Sequence, residues 1–425
     1  MRILILVDCY LPSCKSGAKH IHDLGIEFQR QGHHVTVLTP SDTISQDLDV
    51  TDEQGLRIAR VNAGRIKGTP KPIRALREIR LSALLWRKAR RFLVANPAEL
   101  IIFYSPTIFF GELVRRLKAQ WRCPAYLILR DIFPEWAVDA GILRRGLIYR
   151  FFRRIETHQY QTADLIAVQS PGNLEYFARA FPTNQFRLKV LYNWTLLTEG
   201  DLPHTNWRAR LGLEKKVVFV YGGNIGVAQD IDNLLRLAVR LAQQPNIHFL
   251  IVGSGSEVAR LNNSIAAQRL RNIQILPAVS QEEYLSMISE FDVGLISLDA
   301  RLKTHNIPGK LLSYLYWGLP VLASVNPGND LLDLLNGNRA GLCLVNGDHD
   351  NLVTAAQQLV DDPDLRSEMG RNARRLLEQT FSVKVAADQI LSHLQEAGLV
   401  SRRTTPLSAT LARQQGQQTA LIGQS

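Results

Sequence analysis

The strongest constraint on this chain is a rhythm. Short apolar, β-branched runs alternate with amphipathic stretches of helical period, and near mid-chain the rhythm starts over. In the first half, strands are predicted at 2–7 (RILILV), 34–39 (HVTVLT), 57–61, 99–104 (ELIIFY), 125–130 (AYLILR), 164–169 and 187–191. A helix is predicted over 18–31, stopped by Gly32. The second half gives strands at 216–221 (KVVFVY), 247–252 (IHFLIV), 272–276, 292–296, 320–324 and 341–345, each running into a helix. Hydrophobic runs this continuous are buried on both faces, as parallel sheets between helical layers require. The fold class is therefore α/β, with two Rossmann-like doubly wound domains at 1–195 and 196–380. The polar segment Leu196–Asn206, with Gly200 and Pro203, is the expected hinge. A helix over 381–398 is expected to pack back toward the first domain, and the polar stretch 399–425 to be a disordered tail.

Two domains suit 425 residues, at about 100–200 residues per domain. Cys9, Cys14, Cys123 and Cys343 are scattered without a C-x-x-C pair, which predicts reduced thiols rather than a disulfide framework. The opening MRILILVDCY has too short an apolar run for a secretory signal. Residues 311–329 carry no charge, but Gly318-Leu319-Pro320 interrupts them, so helix–turn–strand is predicted instead of a membrane span.

Fifty Lys and Arg against 39 Asp and Glu leave a net charge of +11. Residues 57–91 alone hold nine Arg and three Lys against the single Glu78, so this one stretch carries the whole excess. Within it Ile73, Leu76, Ile79, Ala83, Leu84 and Trp86 recur at helical spacing. Two readings stand: a basic face for an anionic membrane, using Trp86, Arg87, Lys88, Arg90 and Arg91, or a solvated helix face over the sheet. No nucleic-acid module is present, so nucleic acid is not an expected partner.

In open parallel sheets, ligands lie beyond the carboxyl ends of the strands. Three loops there suit a phosphate: Pro12-Ser13-Cys14-Lys15-Ser16-Gly17, Gly222-Gly223-Asn224-Ile225-Gly226 and Gly253-Ser254-Gly255-Ser256-Glu257. Each also reads as a tight connection. None fits G-x-G-x-x-G or G-x-x-x-x-G-K-[ST], which argues against a dinucleotide fold or a P-loop ATPase. A sharper signal is His305-Asn306-Ile307-Pro308-Gly309-Lys310, where a strand leads through Pro308 into a helix with Lys310 in its first turn. That lysine can add a point charge to an anion site.

Through about residue 397 the sequence resembles glycosyltransferase family 4, retaining nucleotide-sugar transferases of the GT-B fold, whose two domains face across a cleft. The family's P-x-K-x-x-E-Y…G-x-P-V signature reads here Pro308-Gly309-Lys310-Leu311-Leu312-Ser313-Tyr314…Gly318-Leu319-Pro320-Val321, and its G-x-G-x-E turn reads Gly253 to Glu257. The resemblance implies donor contacts at Gly17, Gly222, Gly223, Asn224, Gly253, Gly255, Pro308, Gly309 and Lys310. Where the family often has two glutamates, this chain has His305 and Ser313, which take those donor positions by spacing. It also lacks the family's basic residues after the first donor-domain strand, having Asn224 and Gln229.

YGGNIGVAQDIDNLL (221–235), THNIPGKLLSY (304–314), SVNPGNDL (324–331) and Arg130-Asp131-Ile132-Phe133-Pro134-Glu135-Trp136-Ala137 are similar to a bacterial O-antigen subgroup that includes N-acetyl-L-fucosamine transferases. This implies a UDP-sugar donor, a polyprenyl-diphosphate-linked sugar acceptor and a cytoplasmic enzyme peripheral on the inner face of the cell membrane. Lys310, Asp131 and His20 are the catalytic candidates, and Arg130, Phe133 and Trp136 the acceptor-side ones. Asp131 reads equally as a loop cap. Neither cofactor nor metal is expected: of the triplets Asp47-Leu48-Asp49, Asp230-Ile231-Asp232 and Asp348-His349-Asp350, the last two stand at helix starts. A UDP-sugar 2-epimerase and a non-catalytic nucleotide-sugar-binding protein remain alternatives.

Overall fold

The computed structural model describes residues 1–13, 16–66, 68–139, 141–183, 185–197, 206–302 and 307–401. Residues 198–205 of the expected Leu196–Asn206 hinge, the tail from 402 onward and His305 lie outside the described residues. The first sheet contains β1 (Arg2–Leu6), β2 (His34–Ser41), β3 (Leu48–Glu53), β4 (Leu56–Asn62), β5 (Leu100–Tyr104), β6 (Ala125–Ile128), β7 (Leu165–Val168) and β8 (Leu188–Val190). Their order is β3-β4-β2-β1-β5-β6-β7-β8. The second sheet contains β9 (Val217–Asn224), β10 (Ile247–Ser254), β11 (Ile273–Leu276), β12 (Val293–Ser297), β13 (Val321–Val325) and β14 (Gly341–Val345), ordered β11-β10-β9-β12-β13-β14. Every described pairing is parallel except β3 with β4.

Strand β3 is not among those predicted. Its sequence LDVTDE carries three carboxylates, so it lacks the apolar run that marks the buried strands. An edge position tolerates this, because one side of the strand faces water. The hairpin closes through Gln54 and Gly55, both at positive φ (54° and 80°), the turn whose twist matches paired strands. A Cβ on Gly55 would displace the end of the Gln29 side chain, and the positive φ favours glycine there.

Helices Leu81–Ala95, Gly111–Trp121, Leu147–Thr162 and Pro171–Ala180 bury apolar residues against one face of the first sheet. The other face is covered by Ser16–Arg30 and by the last helix, Val383–Glu396. Val383, Ala386, Ala387, Ile390 and Leu394 are all buried there beside Ile21, Leu24 and Phe28. The chain crosses between domains at two paired points, where Thr195 N–H donates to Phe381 O (2.8 Å) and Val383 N–H to Thr195 O (3.0 Å). Leu399 and Val400 also pack on this core, which corrects the expected start of the tail. A further tie joins the halves: the Gly172 N–H donates to Asp330 Oδ2 (3.1 Å).

Both sheets reverse direction once. The chain winds outward from β9 through β10 to β11, then returns to β12 on the other side of β9. Similarly, β1 lies between β2 and β5. At such switch points the flanking loops diverge and leave a crevice. The uncharged stretch 311–329 is divided between the Lys310–Tyr316 helix, a turn at Gly318 (φ 63°) and β13. Among the described residues, no helix is long and apolar enough to cross a membrane.

Candidate active site

Lys310 opens its helix directly after the switch point of the second sheet. Its Nζ stands 3.3 Å from the centre of the Tyr221 ring, at the end of β9. A Cβ on Gly223 would lie 3.8 Å from Lys310 Cε, so the glycine leaves the approach to the ammonium open. Burial pushes the Lys310 ammonium well below the ordinary lysine range, and among the described residues no carboxylate counters it. A partly dehydrated lysine without a counter-charge favours an incoming anion, which restores its charged state. Diphosphate binding should therefore take up a proton at pH values between the free-state and the bound-state pKa of Lys310, and affinity should fall as pH rises across that interval. Calorimetry in buffers of different ionisation enthalpy tests this; buffer-independent heats would mean the lysine is already charged.

The glycines divide into two kinds. The Gly222 N–H donates to the Tyr314 hydroxyl (3.2 Å), which in turn donates to Leu295 O (3.2 Å). A Cβ on Gly222 would overlap the buried Tyr284 hydroxyl. Gly222 therefore does not offer its amide to a donor, contrary to expectation. Gly253 is in register with Gly223, and its Cβ would overlap the Gly223 carbonyl. Gly255 lies equally close on Ile225, whose N–H and C=O bond Ser254 O (2.9 Å) and Glu257 N–H (3.1 Å). These two glycines let one loop brace the other, backbone on backbone.

Gly223, at φ 114°, and Asn224 are the exposed members of the Gly222–Gly226 loop. The Asn224 side-chain amide donates to Gln229 Oε1 (2.8 Å). Pro308 O accepts from Leu311 N–H (3.0 Å) and starts the helix, while Ser313 O takes Trp317 N–H (3.4 Å) at its end. A Cβ on Gly309 would meet open space, so packing does not require glycine there.

The acidic triplets are engaged. Asp47 pairs with Lys88 (2.8 Å), Asp232 with Arg260 (2.9 Å), Asp350 with Arg240 (2.9 Å), and Asp230 accepts from Asn346 (2.8 Å). Among the described residues, no three His, Cys, Asp or Glu side chains gather as a metal would need.

A second group sits at the carboxyl ends of β1, β5 and β6. Gly17 lies against Tyr104, with room for a Cβ only 3.1 Å from the ring. Three residues on, His20 has a buried Nδ1 with no hydrogen-bond partner, and its carbonyl accepts from Trp194 Nε1–H (2.9 Å). Burial, helped by Arg130 and Lys19, pushes the imidazole down to about 4, so it is neutral at physiological pH. Asp131 is raised by burial and by Asp8, with Arg130 opposing. Asp8, just past β1, is a neighbour that sequence reasoning missed.

Arg130 is not a surface residue of an acceptor face. It is buried, donating to Leu191 O (2.8 Å) and Tyr192 O (3.2 Å) with its guanidinium 5.3 Å from the Trp194 ring, so it ties the end of β6 to the chain leaving the domain. Phe133 packs on Phe152 (5.2 Å between centroids) and on Trp136 (6.0 Å), and Trp136 is exposed. A cavity of about 420 Å³ opens beside this group, lined by Asp8, Tyr10, Thr39, Ser41, Arg60 and Glu78 among others. Hydroxyls and charges of both signs suit a polyhydroxylated ligand. Apart from the loop after β1, its residues come from separate strands, loops and helices far apart in the chain, so no local motif announces it.

Of the expected membrane residues, Trp86 packs against the helical core and Lys88 is held by Asp47 and by Asn62 O (2.8 Å). Arg87, Arg90 and Arg91 are exposed. The large apolar side chains exposed in this stretch are Ile73, Leu76 and Ile79, on the preceding helix Lys71–Ile79.

The model for "Glycosyl transferase 4-like domain" matches residues 17–194, and that for "Glycosyl transferases group 1" matches 203–376. The first spans β2 to β8 of the first sheet, and the second spans the whole second sheet with its switch point. This chain is a glycosyltransferase of the GT-B fold. It is similar to the probable glycosyltransferase WbjE of Pseudomonas aeruginosa, 24% identical over 385 residues that span 85% of this chain and 90% of WbjE. It also resembles the putative colanic acid biosynthesis glycosyl transferase WcaI of Escherichia coli K12, 32% identical over 228 residues, 51% of this glycosyltransferase and 55% of WcaI. An E. coli trehalose-6-phosphate structure bound with UDP-2-fluoro glucose superposes with a TM-score of 0.70 at 12% identity, covering 93% of this chain and 99% of that one. That likeness concerns the fold.

Proposed function

We propose that the enzyme moves a sugar, with retention, from a UDP-sugar to a polyprenyl-diphosphate-linked sugar at the inner face of the cytoplasmic membrane during surface-polysaccharide assembly. The observation that carries this reading is Lys310: an ammonium without a counter-charge, beside an open glycine, at the switch point of the donor-side sheet. The UDP-sugar ligand of the superposed E. coli protein and the polysaccharide role in the name of WcaI support it. So does the resemblance to N-acetyl-L-fucosamine transferases, which makes that sugar the first donor to try.

In this mechanism the bond between the sugar anomeric carbon and the diphosphate oxygen breaks as positive charge grows on the sugar. Lys310 neutralises the negative charge gathering on the diphosphate. The acceptor hydroxyl attacks from the face the diphosphate leaves, forming the new glycosidic bond, and its proton passes to the departing diphosphate. Asp131 and the neutral His20 orient the acceptor and donor sugars at the first domain's edge.

The test is a panel of UDP-sugars, including UDP-N-acetyl-L-fucosamine, with polyprenyl-diphosphate N-acetyl-sugar as acceptor, no added metal, and mass detection. The expected product is the acceptor enlarged by one sugar. Isomerised free UDP-sugar with no acceptor consumed would replace this reading with an epimerase.

A further inference from the structure

Residues 142–155, ILRRGLIYRFFRRI, hold five arginines and no acid. In a folded domain such a segment ordinarily turns its apolar side chains inward. Here Leu147 is 82% exposed, Ile142 and Ile148 64% each and Phe151 48%. Leu147, Arg150, Phe151 and Arg154 are spaced i, i+3, i+4 and i+7, so they share one face at the start of the Leu147–Thr162 helix. Among the described residues Arg144, Arg150 and Arg154 are exposed and pair with no carboxylate, whereas Arg145 is taken by Glu135.

This surface adjoins the active-site end of the first domain. A helix that follows a strand in a doubly wound fold starts at the strand's carboxyl end, here the end of β6 that carries Asp131. Exposed Trp136 extends the patch, and Phe133 links it to the helix through Phe152. Phe152 also meets Phe109 (6.4 Å between centroids), whose carbonyl accepts from Ser82 Oγ at the start of Leu81–Ala95. The exposed Ile73, Leu76 and Ile79 lie just before that point, so both apolar clusters border the same helical layer at the same end.

We propose that the 142–154 face docks on an anionic lipid bilayer, with Leu147, Ile148 and Phe151 inserted at the headgroup boundary and Arg144, Arg150 and Arg154 on lipid phosphates. Apolar side chains interleaved with unpaired arginines match that surface in both its parts. A second copy of the chain fits poorly, since two identical arginine rows would face each other across a two-fold interface. The use of this docking, delivery of a lipid-linked acceptor, rests on the proposed function; the binding itself does not.

Vesicle sedimentation without donor or acceptor tests it. Wild type should bind vesicles of equal parts phosphatidylglycerol and phosphatidylcholine, release in high salt, and leave pure phosphatidylcholine vesicles unbound. R144E, R150E and R154E together should weaken partitioning by about a hundredfold. L147S, I148S and F151S together should weaken it by at least about tenfold. UDP binding should persist in both variants, which separates lost docking from lost folding and from failure of the transferase reading. Equal binding by wild type to neutral vesicles, or undiminished binding by the arginine variant, would overturn the proposal. So would loss of binding confined to a variant reversing Arg87, Arg90 and Arg91, or a wild-type dimer that these serines dissolve without any vesicle binding.

Discussion

Replacing Lys310 with Met should leave a well-folded protein that has lost most of its transfer activity. The ammonium sits half-buried over Tyr221 with no carboxylate beside it, so in the free enzyme it is a liability to folding. The sign follows from its depressed pKa. At neutral pH the unfolded chain holds this proton more readily than the folded one, so the lysine costs stability there, and the cost fades as pH rises. Methionine removes that cost and keeps the volume, so the melting temperature should stay level or rise. Catalysis should fall by about two to three orders of magnitude, the usual loss when one preorganised stabiliser of developing charge is removed. Steady-state kinetics beside a melting curve decide it. A variant that melts early would place Lys310 among structural residues, and one that keeps its turnover would remove it from the diphosphate site.

Gly253→Ala should behave in the opposite way, as a stability lesion. Its Cβ would overlap the carbonyl of Gly223 within a strand ladder, where neither backbone can rotate away. Overpacking costs about 1–3 kcal/mol and more when backbone must move. At roughly 2–4 °C per kcal/mol for a domain of this size, about 3 kcal/mol would lower the donor-domain transition by roughly 6–12 °C. Denaturation followed by fluorescence reads this directly. If the variant melts like wild type but no longer binds UDP, Gly253 is a ligand contact after all.

The fold was written plainly in the chain because its central strands carry unbroken apolar runs, such as Ile3–Leu6 in β1 and Val217–Val220 in β9. Edge strand β3, with its three carboxylates, was not. The basic stretch was legible as charge but misleading as geometry. Its apolar residues look like one helical face, yet the chain breaks at Arg80, where one helix ends and the next begins. Ile73, Leu76 and Ile79 before the break are exposed, whereas Leu81 and Leu85 after it are buried and Trp86 turns to the core. Lys310 was found from its strand–loop–helix setting. The roles of Gly222 and Gly253 were not separable in sequence, because glycine serves equally for an open amide and for close packing. Asp8 and the cavity beside it were missed because they join residues far apart in the chain.

The central claim is that the donor diphosphate is held at Lys310. Titrating UDP into wild type and into Lys310→Met by calorimetry tests it without reference to acceptor, membrane or donor sugar. A saturable heat in wild type and an affinity at least about tenfold weaker in the variant are expected, the scale of one lost charge-assisted contact of about 1.5–3 kcal/mol. Equal affinity in the two proteins would contradict the account and put the diphosphate elsewhere.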